Sequence, residues 1–379
     1  MKKYFIIAAC ALVASVACTK NEMAETPNVP VSFQVASYRN QTKAADPNAA
    51  EGSFLRVDDN FTSQAFLHAQ GVDLNADGTV KTGSGNYQNF FGSASPWTET
   101  ISWNSTSKKW APAHTYYWPK GSQSFVNFVS WYGGTPNVAY AYDGATSKWT
   151  ATMTWNLASL GSSADILYAD MAWHYTANES TYHKDDAGVV GVPTLFRHGL
   201  SRIAVKAYVQ NTAGTIAAGP ADSNVSWTIT IKNFTLGSVT TGGSLVLTNA
   251  DPGSKTTQEW TASISSGSTG NITASDAVIS AIAKASATDV VALKSVLPQT
   301  IANTVKMSFD VDIVTTTNGN THHEIIPFEL TLAAFGTDEW EKNTQYTYYI
   351  KIDPTQNEVL YDPAVASDWV EETTTDQNI

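Results

Sequence analysis

Apolar and polar residues alternate one for one along several stretches of this chain. Near the amino end Val31, Phe33 and Val35 alternate with Ser32, Gln34 and Ala36. Beyond residue 192 the pattern is longer and cleaner. Ile203, Val205, Ala207 and Val209 alternate with Ala204, Lys206 and Tyr208, and Val225, Trp227, Ile229 and Ile231 with Ser226, Thr228 and Thr230. The same holds from Val305 to Ile313 and from Tyr346 to Ile352. Period-two alternation predicts strands with one buried and one wet face, and their repetition predicts antiparallel sheets packed as a sandwich.

Between Phe54 and about Val192 the strand-like runs are shorter: Gln64–His68, Ile101–Trp103, Ser124–Trp131, Trp149–Trp155 and Ile166–Tyr168. Turn clusters such as Gly133-Gly134-Thr135-Pro136-Asn137 and Asp143-Gly144 separate them. One interruption reads as helical: Asp276 to Leu297, with Val278, Ile279, Ile282, Val290, Leu293 and Val296, stopped by Pro298. The fold class predicted is all-β, with a first β-sandwich domain over 31–192, a second over 193–379 and a short helical insertion in the second. Nothing repeats at a solenoid period.

The first residues change the picture. Met1-Lys2-Lys3 precedes an apolar run to Ala17, the form of a signal peptide over 1–17. Ser15-Val16-Ala17-Cys18 resembles a bacterial lipobox, although Ser replaces the usual Leu three residues before the cysteine. If Cys18 is lipidated, 18–30 is a polar tether, and the membrane is reached only through the lipid. The other cysteine, Cys10, lies within the signal, so no disulfide framework staples the exported body. The net charge is −12, and without Lys2 and Lys3 the balance is 20 basic to 34 acidic residues. That argues against nucleic acid as a partner.

Candidate chemistry is sparse. No Gly-Xaa-Ser-Xaa-Gly, P-loop or zincin pattern occurs, so no catalytic residues are expected. Asp73-Leu74-Asn75-Ala76-Asp77-Gly78 copies half of a calcium loop, but its twelfth position is Ser84, and a tight turn uses the same residues. The seven histidines are scattered, and neighbours such as His322 and His323 face opposite sides of a strand. No metal or cofactor is expected. Eight of the twelve tryptophans fall in the first domain: Trp97, Trp103, Trp110, Trp118, Trp131, Trp149, Trp155 and Trp173. They either fill a core or offer a platform for sugars.

The stretch after the first strand is the most informative. Arg39 ends the strand-like stretch, and Lys43 stands in the small, unpatterned segment that follows, a linker over 40–52 that a trypsin-type protease reaches. Val31, Phe33 and Val35 thus belong to a core strand (31–39) placed for removal. Glu358-Val359-Leu360-Tyr361 and the acidic tail after Trp369 are candidates to pair with another chain, unless Trp369 folds back on its own domain.

Several segments, taken in order, resemble the fimbrillin family, the type V pilus subunits of Bacteroidales and related surface lipoproteins. They are the lipobox at Cys18, Val31 to Lys43, Tyr117-Trp118-Pro119 with Phe125 to Trp131, and Ala164 to Ala169. Phe196-Arg197-His198-Gly199-Leu200-Ser201-Arg202-Ile203, Leu297-Pro298-Gln299-Thr300, Trp340 to Tyr348, Tyr361 to Val365 and Asp368-Trp369 follow. The resemblance implies two transthyretin-like domains and export to the outer membrane as a lipoprotein. It also implies removal of the N-terminal strand by an Arg- or Lys-specific protease, with Arg39 as the processing position and Lys43 or Arg56 as alternatives, then strand exchange with other pilus subunits at the cell surface. In the family motif His198 is expected to pack or hydrogen-bond near the domain junction. The alternative is a monomeric surface lipoprotein that binds a glycan or a host or bacterial surface protein.

Overall fold

The computed structural model describes residues 29–37, 59–69, 73–76, 81, 87–107, 109–120, 123–157, 165–176, 191–210, 225–265, 267–354, 356 and 358–368. Among these, strands dominate, and the helical pieces are two short 3-10 turns, Lys284–Ser286 and Leu332–Phe335.

The largest sheet has ten strands. In spatial order they are β15 (Thr256–Gln258), β10 (Met171–Tyr175), β6 (Phe125–Tyr132), β9 (Leu167–Ala169), β11 (Val192–His198), β1 (Phe33–Ser37), β5 (Lys109–Pro112), β4 (Thr98–Asn104), β2 (Asn60–His68) and β3 (Gln88–Asn89). β6 also pairs with β2, from Thr62 opposite Trp131 to His68 opposite Phe125. The pairing therefore closes on itself: β6, β9, β11, β1, β5, β4 and β2 form a seven-strand ring.

Alternation decides what fills the ring. Val126 and Phe128 of β6, Phe61 and Ala65 of β2, and Leu167 and Ala169 of β9 belong to one interior core. Their neighbours Val129, Trp131, Phe66 and Tyr168 belong to a second core, shared with another sheet. That sheet is β16 (Thr261–Ser265), β14 (Gly243–Ala250), β8 (Lys148–Leu157) and β7 (Asn137–Asp143).

The C-terminal half packs two further sheets around a single core. One holds β19 (Thr288–Val296), β12 (Ser201–Val209), β24 (Thr344–Asp353) and β25 (Glu358–Asp368). The other holds β17 (Thr269–Thr273), β13 (Val225–Thr240), β21 (Lys306–Thr317) and β22 (Asn320–Thr331), with β18 (Ala277–Val278) beside β13. A two-strand ribbon of β20 (Gln299–Thr300) and β23 (Glu339–Trp340) lies apart.

One expectation meets a different fact. Residues 276–297 are not helical: after β18 and the first 3-10 turn they form β19, antiparallel to β12 from Ser201 opposite Val296 to Ala207 opposite Thr288. The apparent helical stripe needed Ile282 inside, yet it is 39 % exposed. The β-branched Thr288, Val290 and Val291 favour extended backbone, and Val290 and Val291 are buried in the C-terminal core. The position between residues 192 and 193 falls within β11, which pairs with β1 and β9 in the ten-strand sheet. Residues 243–265 cross back, β14 pairing with β8 and β15 with β10.

Candidate functional site

β1 is one stave of the ring. It runs parallel to β11, from Phe33 opposite Val192 to Ser37 opposite Phe196, and antiparallel to β5, with Phe33 opposite Trp110. The amide of Val192 donates to the Ser32 carbonyl at 2.7 Å. Val31 and Phe33 are 3 % and 1 % exposed, while Val35 is half-buried at the edge of the same core. The Phe33 ring sits edge-on to Phe61 and Phe128, each with centroids 5.6 Å away, and tilts against Phe91 at 6.4 Å. Burying Val31 and Phe33 contributes roughly 3–6 kcal/mol. A whole domain is stable by only about 5–15 kcal/mol, so losing β1 removes a large share.

A strap crosses the amino end of β1. Val31 donates its amide to the Tyr116 carbonyl at 2.8 Å, and Trp118 donates to the Val29 carbonyl at 3.0 Å. Tyr116 is fixed in turn: its hydroxyl donates to Glu99 Oε2 at 2.6 Å and accepts from the Gly92 amide at 3.0 Å. Burial and the neighbouring Glu99 carboxylate push the Tyr116 hydroxyl pKa upward. The described part of the strand stops at Ser37, two residues before Arg39. Arg39, Lys43, Arg56 and Cys18 lie outside the described residues.

The other candidates resolve differently. Asp73 Oδ1 accepts the Ala69 amide at 2.8 Å, and Oδ2 accepts from His68 Nδ1 at 2.6 Å. Asp73 is thus engaged by the protein itself, Asp77 is not among the described residues, and no described cluster offers three metal-ligating side chains. Of the eleven described tryptophans none is exposed, and Trp110, Trp131, Trp149, Trp155 and Trp173 are buried.

Sequence reading missed two histidine–aspartate pairs, because their partners are distant or unpatterned. His68 Nε2 meets the Tyr140 hydroxyl at 2.8 Å, and that hydroxyl accepts the Asn127 amide at 2.7 Å. The donors assign the His68 proton to Nδ1 and leave the ring neutral, consistent with burial lowering its pKa. His174 Nε2 lies 2.7 Å from Asp251 Oδ1. Phe125 stacks between the two imidazoles, 4.7 Å from His68 and 4.1 Å from His174.

At the junction between the halves, Arg197 of β11 donates from Nε and Nη2 to the two oxygens of Asp170, at 2.7 and 3.0 Å. Arg197 also meets Glu259 at 3.3 Å. Glu259 accepts from Lys342 Nζ at 2.5 Å, which in turn donates to the Tyr168 hydroxyl at 2.8 Å. His198 Nδ1 lies 2.9 Å from Asp165, and the His198 amide donates to Asn343 Oδ1 at 3.4 Å. A cleft of about 790 Å³ opens beside this network.

A family model described as fimbrillin-like matches residues 72–369. The chain belongs to the fimbrillin-like family. The match begins downstream of β1. A fimbrial protein from Bacteroides vulgatus is similar at 17 % identity with a TM-score of 0.52, covering 90 % of this chain and 99 % of that one. At that identity the likeness shows the fold. A proposed cell adhesion protein from Bacteroides uniformis matches at 16 % identity and a TM-score of 0.40, covering 90 % of this chain and 99 % of its own. A second, from Parabacteroides distasonis, matches at 12 % identity and a TM-score of 0.42, covering 91 % and 98 %. No curated protein matches the chain.

Proposed function

We propose that this fimbrillin-like protein is a structural and adhesive subunit of a type V pilus, assembled by strand exchange. It is exported as a precursor lipidated at Cys18 and reaches the outer membrane through that anchor. A protease cuts after Arg39, with Lys43 and Arg56 as alternative sites, and β1 leaves. The opened ring takes an extended segment of another subunit between β11 and β5. Each half of the molecule acts as a transthyretin-like domain, and the role is structural rather than catalytic.

The observation that supports this reading is the place of β1. It contributes a buried anchor to a closed ring, yet its last described residue is two positions from a basic residue. A strand that matters to stability and lies beside a protease site suits replacement by a partner strand, where backbone hydrogen bonds and alternate side-chain pockets are reused. β25 pairs with its own sheet through β24, which favours a tip or accessory position over a stalk position. A sugar platform finds no exposed tryptophan among the described residues.

Brief trypsin digestion of the full chain, followed by N-terminal sequencing and gel electrophoresis without boiling, tests the reading. The expected result is one early cut whose product begins at Asn40, then a ladder of oligomers. A digest in which the residues from 31 onward persist in every folded product, as monomer only, contradicts it.

A further inference from the structure

We infer that the slot occupied by β1 selects its incoming strand chiefly at one residue, and that this residue is phenylalanine with an aliphatic residue two positions before it. The inference rests on the strand-exchange reading above.

The three inward positions from Val31 to Val35 are unequal. Phe33 is almost completely buried within a cage of Phe61, Phe91 and Phe128, two of them edge-on. Edge-to-face rings at these separations attract beyond what buried area alone supplies. Val31 is equally buried, but it stands beside the strap at Tyr116 and is an aliphatic contact. Val35 is half-buried, so its position tolerates change. The three described rings packed against Phe33 are phenylalanines, none of which can accept from a tyrosine hydroxyl, so a tyrosine there is expected to bury a poorly paired polar group. The backbone is gauged at the same point: a Cβ on Gly191 would lie 2.6 Å from the Phe33 carbonyl carbon, so the incoming strand seats with its anchor residue against a glycine. Register and identity are therefore read together, at the position of Phe33.

The partner is thus an extended segment of another chain with the pattern aliphatic-x-Phe, loose two residues further on. The protein's own β25 carries Val359 and Tyr361 at this spacing, with tyrosine in the anchor position.

The test uses the full chain nicked by trypsin and fluorescent peptides of residues 29–39, with uptake into the folded protein followed by gel filtration. The native peptide enters. The F33A peptide enters at least about a hundredfold more weakly, the scale of deleting a buried aromatic ring. The F33Y peptide is weaker by about tenfold, the scale of one unpaired buried hydroxyl, and V35A by about fivefold or less. A peptide of residues 358–363 is weaker than its Y361F form. Equal uptake of the native, F33A and F33Y peptides overturns the selectivity inference while leaving strand exchange standing. Failure of the native peptide to enter overturns the exchange reading itself, and the inference with it.

Discussion

Gly191 lies flat against Phe33. A methyl group at residue 191 would stand 2.6 Å from the Phe33 carbonyl carbon and 2.8 Å from the Gln34 nitrogen, both backbone atoms that have no side-chain freedom with which to yield. G191A therefore pushes β1 off β11. The expected effect is a loss of about 1–3 kcal/mol, the range for overpacking, with faster proteolysis after Arg39. Thermal melts and a trypsin time course check it. A variant as stable and as resistant as the parent would mean that β1 is held elsewhere.

Phe33 and Val35 share a strand and a face but differ in burial. F33A empties an aromatic cage and is expected to destabilise by about 3–5 kcal/mol. V35A is expected to lose about 1 kcal/mol or less, since half of the side chain already meets solvent. Urea unfolding of both variants in the uncleaved chain measures the difference, and equal losses would contradict the geometry.

His68 makes the fold sensitive to mild acid. Its ring is buried against Phe125, Tyr140 and Trp149, bonded to Asp73, with His174 and Asp251 nearby, and burial holds its pKa below 6.5. In the unfolded chain a histidine titrates near about 6.5. As the pH falls through that value the unfolded state takes up the proton first, so stability is full above it and declines below, until the folded ring also protonates. The urea midpoint is expected to drop between pH 7.5 and 5.5, and H68Q to flatten most of that slope. An unchanged slope in H68Q would place the acid sensitivity on other groups.

Arg197 and Asp170 form a two-bond ion pair that is largely buried. R197A leaves the carboxylate without its fork and is expected to destabilise by about 3–5 kcal/mol. A double-mutant cycle with D170A should show strong non-additivity. Additive losses would show that the two side chains act separately.

Much of this architecture is legible in the sequence where burial is one-sided. The alternations at 225–231 and 305–313 became strands because a less buried sheet face leaves a period of two, and those at 203–209 and 346–352 became strands although Ala204, Tyr208 and Thr347 on the second face are buried as well. The reading failed at 276–297, where a chance spacing of Ile279, Ile282 and Val290 imitated a helix and outweighed the β-branched run that followed. It also could not show that β14 and β15 return to the N-terminal sheets, since strand pairing at such separation leaves no local signal. The inward set Val31 and Phe33 was visible. The ring they complete, the strap at Tyr116 and the His68–Asp73 pair were not, because each depends on residues that only the fold brings together.

Locking the strand in place tests its departure most directly. Val35 and Thr194 are register partners on the inward faces of β1 and β11, at the strand spacing a disulfide spans, and the only native cysteines are Cys10 and Cys18. In a V35C/T194C chain cut after Arg39, the account predicts monomers while the disulfide is intact and oligomers once a reductant opens it, read side by side on one gel. Oligomers that form equally well with the crosslink closed would contradict it.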